Sequence, residues 1–233
     1  MLKVTPILCR AGVMDNYAYL LVDKSSGIAA ILDASEANPI IAECRRQNVK
    51  PRYLLVTHHH FDHVDGNEEL KKQYHAEIVG ASADAYRIAG MDIMLNDGDI
   101  FKIGDSKAQI ISADGHTLGH ILWYFPQDKL LFTGDTLFNL SIGGLFEGTP
   151  WQMWKSLQKI KQLPDDVRFY PGHEYTRFGL RSLRGDAGEK YAEKARTRLS
   201  EGLPVAPVTL GEEKLCNPYL KVEDFEDFEL LFG

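Results

Sequence analysis

A chain of 233 residues, 44% of them hydrophobic, with a formal net charge of −7 can bury one substantial core with a smaller appended element. Its acidity argues against nucleic acid, which is held by a basic face, and no apolar run reaches the roughly eighteen residues that a membrane span needs. Met1-Leu2-Lys3-Val4-Thr5-Pro6 lacks the apolar stretch and cleavage site of a signal peptide, so the cytoplasm is the expected compartment, and the scattered Cys9, Cys44 and Cys216 suit buried thiols better than disulfides or a thiolate zinc site.

In chain order, Tyr17-Val22 and Ile28-Leu32 read as strands. Asn38-Pro39 then opens a helix, with Asn as the cap, Pro at the first helical position and Ile40, Ile41 and Cys44 along one face. Further strands are expected at Tyr53-Val56, Ala76-Val79, Ala108-Ile111, Ile121-Phe125 and Leu130-Phe132, punctuated by Gly, Asp and Asn. Thr149-Pro150 starts a second helix: Gln152, three residues after Thr149, has the form of a capping box, and Met153, Leu157 and Ile160 recur at helical spacing. Beyond His173 the chain turns charged, with a helix over Glu189-Ser200 and a Pro-rich passage at Leu203-Val208. A catalytic domain over residues 1–174 and an accessory segment over 175–233 follow from this change of texture. Between Arg177 and Arg198 seven basic residues face three acidic ones, and between Glu212 and Glu229 seven acids face two lysines; both runs read as solvated helix faces.

The chemistry concentrates where strands end. Tyr53-Val56 runs into Thr57-His58-His59-His60-Phe61-Asp62-His63. In an extended stretch His58 and His60 point to one side and can share an ion, while Asp62 and His63 turn to a second; His59 is left as a structural or solvent-facing residue. Two protein ligands do not hold an ion tightly, so remote donors are needed. His116, in Asp114-Gly115-His116-Thr117, Asp135, in Thr133-Gly134-Asp135-Thr136, and His173, in Pro171-Gly172-His173-Glu174, each follow a glycine that lets the backbone turn. Together these residues make two three-ligand sets: His58, His60 and His116 for one ion, Asp62, His63 and His173 for the other, with Asp135 as the bridge. Two divalent ions point to hydrolysis, because coordination lowers the pKa of water from 15.7 to about 7 and supplies a bridging hydroxide beside Asp62 and Asp135. The chain has no G-x-S-x-G elbow, which disfavours a serine hydrolase.

At His58-x-His60-x-Asp62-His63 the sequence resembles the metallo-β-lactamase fold superfamily, and more narrowly the glyoxalase II (hydroxyacylglutathione hydrolase) family. The narrower likeness rests on Asp15-Asn16-Tyr17, Gly115-His116-Thr117-x-Gly119-His120, Phe132-Thr133-Gly134-Asp135-Thr136-Leu137-Phe138, Phe146-Glu147-Gly148-Thr149, Gly172-His173-Glu174-Tyr175-Thr176, Gly211-Glu212-Glu213 and Asn217-Pro218. The resemblance implies an α/β fold, an αββα sandwich with a small C-terminal helical segment that binds substrate. It also implies hydrolysis of S-D-lactoylglutathione to glutathione and D-lactate. Two metal ions are implied as cofactors, zinc by default and iron or manganese in relatives. Tyr175, Phe146 and Gly144 fall at the family's substrate-binding positions. Gly144 stands where the family usually has Lys or Arg, Phe146 lacks the hydroxyl of the Tyr found in some members, and the acidic end of the chain lacks the family's basic run. Arg177 and Arg181 are the candidates to replace those contacts to an anionic thiol. Other readings are a hydrolase of a different thioester or lactone and, in another class, a mono-iron sulfur dioxygenase, against which the complete second ligand set argues. The expected partner is a small glutathione-linked thioester, with no nucleic acid or membrane.

Overall fold

A computed structural model describes residues 1–232; Gly233, the last residue of the expected accessory segment, lies outside the described residues. The chain forms two compact units, Met1–Ser112 with Gly119–Asp128, and Ala113–Leu118 with Lys129–Gly233. The expected accessory segment lies within the second. No helix among the described residues is long and apolar enough to cross a membrane.

The first unit contains β1 (Leu2–Cys9), β2 (Asn16–Asp23), β3 (Ala29–Leu32), α1 (Ala37–Gln47), β4 (Pro51–Leu55), α2 (Phe61–Val64), α3 (Asn67–Tyr74), β5 (Glu77–Ala81), β6 (Met91–Leu95), β7 (Ile100–Ile103), β8 (Ser106–Ser112) and β9 (Ile121–Phe125). Strands β1 to β6 make one sheet in sequence order, antiparallel through β3 and parallel from β3 to β6. The parallel part needs a crossover between strands, and α1 and α3 supply two of them. Strand β3 and the end of β4 are apolar because both faces are covered there: Ala30, Ile31, Leu54 and Leu55 are fully buried, and Ile40, Cys44 and Leu70 from the helices pack on that core. The first helical opening differs from expectation. Glu36, not Asn38, occupies the cap of α1, without a side-chain cap bond, and Pro39 sits within the first turn, where its missing N–H costs nothing.

The second unit contains β10 (Leu130–Gly134), the short hairpin β11 (Leu137–Phe138) and β12 (Ser141–Ile142), α4 (Pro150–Lys161), β13 (Arg168–Pro171), α5 (Thr176–Gly179), α6 (Gly185–Ser200), β14 (Val208–Thr209), α7 (Leu210–Cys216), α8 (Pro218–Lys221) and α9 (Phe225–Leu230). Strand β13 pairs in parallel with β10 and antiparallel with β14. The capping box of α4 forms as its sequence announces: Thr149 Oγ1 accepts from Gln152 N while Gln152 Oε1 accepts from Thr149 N. Helix α6 presents Lys190, Lys194 and Arg196 to solvent and buries Tyr191, Ala192 and Ala195, so the basic run is a solvated face.

The acidic run departs from that reading at Glu213, which is fully buried. Its carboxyl accepts from Tyr191 Oη at 2.5 Å, Leu140 N at 2.9 Å and Asn217 Nδ2 at 3.0 Å. Burial wins over these donors and pushes the Glu213 carboxyl up to about 7. The folded state therefore binds a proton that the unfolded chain releases near pH 4.5. The stability carried by the neutral form is complete below that value and is lost as pH rises through about 7. Urea midpoints are expected to fall between pH 5 and pH 8, and Glu213→Gln should flatten that slope; an unchanged slope in the variant would remove Glu213 as its source.

Candidate metal centre

In the first unit, parallel register brings the ends of β3 and β4 together, with Leu32 opposite Leu55. The residues just beyond, Asp33 and Thr57, meet there. Asp33 Oδ1 accepts from Thr57 N and Oδ2 from Thr57 Oγ1, both at 2.8 Å. Because the hydroxyl proton goes to Asp33, Thr57 Oγ1 is left to accept from His58 Nδ1 at 3.0 Å. The same Asp33 Oδ2 accepts from His63 Nδ1 at 3.1 Å. One buried carboxylate thus fixes the tautomers of two histidines, each with its proton on Nδ1 and its lone pair on Nε2. An acceptor behind the ring is the usual support for a metal-ligating imidazole.

The other residues of the motif close around this pair. The His58 ring lies 4.7 Å from His60, 4.2 Å from His63 and 4.8 Å from the stacked His120, centroid to centroid. Asn16 Nδ2 donates to both the carbonyl and Oδ2 of Asp62 at 3.0 and 2.9 Å, and Asp62 Oδ2 stands 3.6 Å from His63 Nε2. His59, whose ring lies 5.0 Å from that of His60, has polar partners of its own: Nδ1 donates to buried Asp84 at 3.3 Å and Nε2 accepts from Arg87 at 3.4 Å, while Arg87 also pairs with Asp84.

In the second unit, β10 and β13 repeat the device. Gly134 is opposite Pro171, and Gly172 N donates to Gly134 O at 2.8 Å, so Asp135 and His173 emerge side by side. Asp135 Oδ2 lies 3.2 Å from His173 Nε2 and 3.5 Å from His116 Nε2, and all three residues are buried. His116 Nδ1 donates to Gly144 O at 2.7 Å, which again leaves the Nε2 lone pair available to a metal. Of the glycines expected to turn the chain ahead of these donors, Gly115 and Gly134 have φ of 148° and 47°.

The Phe146-Glu147-Gly148-Thr149 stretch braces His116. Its carbonyl accepts from Phe146 N at 3.1 Å, Glu147 Oε2 accepts from Leu118 N at 2.7 Å, and the largely exposed Phe146 ring stands edge-on to the imidazole at 5.1 Å. Tyr175 stacks on the His173 ring at 4.6 Å and 12°, whereas Arg177 and Arg181 are exposed. Gly143 fits only as glycine, since a Cβ there would lie 1.9 Å from Asp135 O. Gly143→Ala is expected to cost about 1–3 kcal/mol by overpacking beside a fixed backbone; a denaturation curve unchanged from wild type would contradict it.

The donors fit a metal. Imidazole nitrogens with their Nδ1 protons committed to protein acceptors, together with buried carboxylate oxygens, are a set that zinc, iron and manganese all accept. Three-membered groups of histidine and aspartate able to hold a metal ion are present. Sequence reasoning found every one of these ligand candidates, but it assigned no role to Asp33, Thr57, Asn16, Asp84 or Glu147. Asp33 carried no signal of its own in the sequence, since the parallel pairing of β3 with β4 that sets it beside Thr57 is seen only in the structure.

Residues 11–173 match the metallo-beta-lactamase superfamily pattern. The chain is similar to the hydroxyacylglutathione hydrolase of Pelagibacter ubique, 42% identical over 94% of each chain, and to that of Rhodopseudomonas palustris strain HaA2, 43% identical over 90% of this chain and 84% of the relative. Its fold is similar to that of ETHE1 from Myxococcus xanthus, with a TM-score of 0.75, 22% identity and coverage of 97% of this chain and 88% of the other. The sheet-and-helix architecture expected from the resemblance is therefore the α/β metallo-β-lactamase fold. The chain belongs to the metallo-beta-lactamase superfamily and, within it, to the hydroxyacylglutathione hydrolase family.

Proposed function

We propose that this chain is a metal-dependent thioester hydrolase that converts S-D-lactoylglutathione and water to glutathione and D-lactate. His58, His60 and His116 would hold one divalent ion and Asp62, His63 and His173 a second, with Asp135 shared between the two sets; zinc suits the donors. The observation that carries the reading is 42% identity, over 94% of both chains, to a hydroxyacylglutathione hydrolase. The hydrogen bonds behind His58, His63 and His116 support the ligand assignment.

Ions so held lower the pKa of water toward neutrality and polarise a carbonyl oxygen. The protein's own part is orientation. Asp33 keeps His58 and His63 in the ligating tautomer, Asn16 aims the Asp62 carboxylate, and Gly144 O does for His116 what Asp33 does for the other two. The leaving thiol has an intrinsic pKa near 8.5, so it departs as thiolate without a strong general acid. Residues 175–233 serve as the substrate-binding segment, in which Tyr175 offers aromatic surface beside His173 and Arg177, with Arg181, takes the anionic end of the thiol that Gly144 cannot reach; Phe146, outside the segment, adds aromatic surface beside His116.

Steady-state assay with S-D-lactoylglutathione, combined with metal analysis, tests this. Turnover with two ions per chain is expected. No turnover by fully metallated protein would exclude the substrate, and one iron per chain with oxygen consumption on glutathione persulfide would move the chain to the dioxygenase class.

A further inference from the structure

The hairpin formed by β11 and β12 is only two residues long on each strand, too short to hold itself, yet it sits next to everything in the second unit that matters for the proposed chemistry. Asp135 precedes it, and Gly144, whose carbonyl fixes His116, follows it. The Phe138 ring stands edge-on to His173 at 5.7 Å and to Tyr175 at 5.3 Å. Leu140, at its tip, is in the left-handed conformation with φ 62°, which costs an L-residue about 1 kcal/mol or more.

What holds this strained tip comes from α6 and α7. Asn217 Nδ2 reaches Phe138 O at 3.3 Å and Ser141 O at 3.2 Å, Asn139 Nδ2 donates to Tyr191 Oη at 2.9 Å, and Leu140 N donates to Glu213. On the other side Gly179 makes room, since a Cβ there would lie 2.4 Å from Leu140 Cβ. All of Glu213's hydrogen-bond partners are uncharged, and a carboxyl buried without a cation is an expensive way to fill space. Two oxygens that collect donors from the hairpin, α6 and α7 instead give direction to the backbone.

We propose that Glu213, with Tyr191 and Asn217, is a positioning residue: the C-terminal helices clamp the 137–142 hairpin, and the clamp sets the His173 ring, Tyr175 and the carbonyl that orients His116. The proposal rests on the reading of His116, Asp135 and His173 as metal ligands. Glu213→Gln keeps the shape and can still accept from Leu140 N. Its amide group, however, faces Tyr191 Oη, which already accepts from Asn139, and the tyrosine proton loses its acceptor.

Three readouts on the purified full chain test it. In Glu213→Gln the Leu140 amide should exchange at least about 10-fold faster by native-state hydrogen exchange. Zinc, measured by competition with a chromophoric chelator, should bind about 10-fold to 100-fold more weakly, the range for groups that orient ligands. Turnover should fall through kcat with little change in KM. Tyr191→Phe, which removes one hydroxyl and keeps the ring, should give the same pattern at smaller amplitude. Ile40→Val in α1 serves as the control, expected to lower the melting temperature and leave exchange at Leu140, zinc affinity and kcat unchanged. A lowered melting temperature in both Glu213→Gln and Tyr191→Phe, with exchange at Leu140 and zinc affinity as in wild type, overturns the clamp. Wild-type protein that binds no zinc overturns the ligand reading instead, and exchange at Leu140 separates the two failures.

Discussion

Asp135→Ala is expected to abolish the paired occupancy of the metal centre, leaving one ion or none per chain, and to cut turnover of S-D-lactoylglutathione by about 1000-fold or more. The size follows from position. Its Oδ2 is the atom that His116 Nε2 and His173 Nε2 both approach, within 3.5 and 3.2 Å, so a single truncation takes a ligand from each proposed set. Removing His58 should be less general, since it belongs to one set. Elemental analysis of dialysed protein reads the stoichiometry and a stopped assay reads the rate. Two tightly held ions in the alanine variant would show that Asp135 does not bridge, whatever the rate.

Asp33→Asn should give the second-largest effect from a residue that touches neither substrate nor ion. The carboxylate accepts three hydrogen bonds, from Thr57 N, Thr57 Oγ1 and His63 Nδ1. An amide can accept on one side only. If its oxygen keeps Thr57 N, its NH2 confronts the Thr57 hydroxyl and His63 Nδ1–H, so the hydroxyl turns and His58 loses the partner that fixes its tautomer. Zinc affinity should fall about 10-fold to 100-fold, as for other groups behind ligating histidines. Each buried donor left without an acceptor also costs the fold about 1–3 kcal/mol. Raising the zinc concentration should restore much of the activity in Asp33→Asn and little in Asp135→Ala. Equal rescue of both would mean that Asp33 has no orienting role.

The candidates His58 and Asp135 were legible because each follows a strand of continuous apolar sequence, whereas His116, after the alternating β8, and His173, after Arg168–Pro171, were marked by the glycine before each. Leu54-Leu55-Val56 before His58 and Leu130-Leu131-Phe132 before Asp135 are buried throughout, so period and punctuation agree. The strands that sequence reading missed are of other kinds. In β6 and β7 exposed and less exposed positions alternate, as in Met91-Asp92-Ile93-Met94, and they lie at sheet ends, so neither forms an unbroken buried run. β1 holds Pro6 and Thr5 among its central residues. Asp33 stayed hidden because a lone Asp after a strand has the appearance of a turn residue; only the β3–β4 register shows that it lies beside Thr57. Glu213 was read as one of a run of solvated acids for the same reason: what makes it different, Tyr191 and Leu140, lies 22 and 73 residues away.

The division of the chain carries a consequence for its synthesis. Residues Ala113–Leu118 belong to the second unit although both of their flanks, β8 and Gly119–Asp128, belong to the first. When the first unit has fully left the ribosome, the loop that carries His116 is already out, but Gly144, Phe146 and Glu147, which hold it, have yet to emerge. Domains tend to fold as they emerge, N-terminal first. The nascent chain must therefore carry His116 unsupported until Phe146, thirty residues behind it, has emerged. No single break in the chain yields two self-sufficient pieces: a fragment ending at Asp128 keeps the histidine and loses its brace, and one starting at Lys129 keeps the brace with nothing to hold.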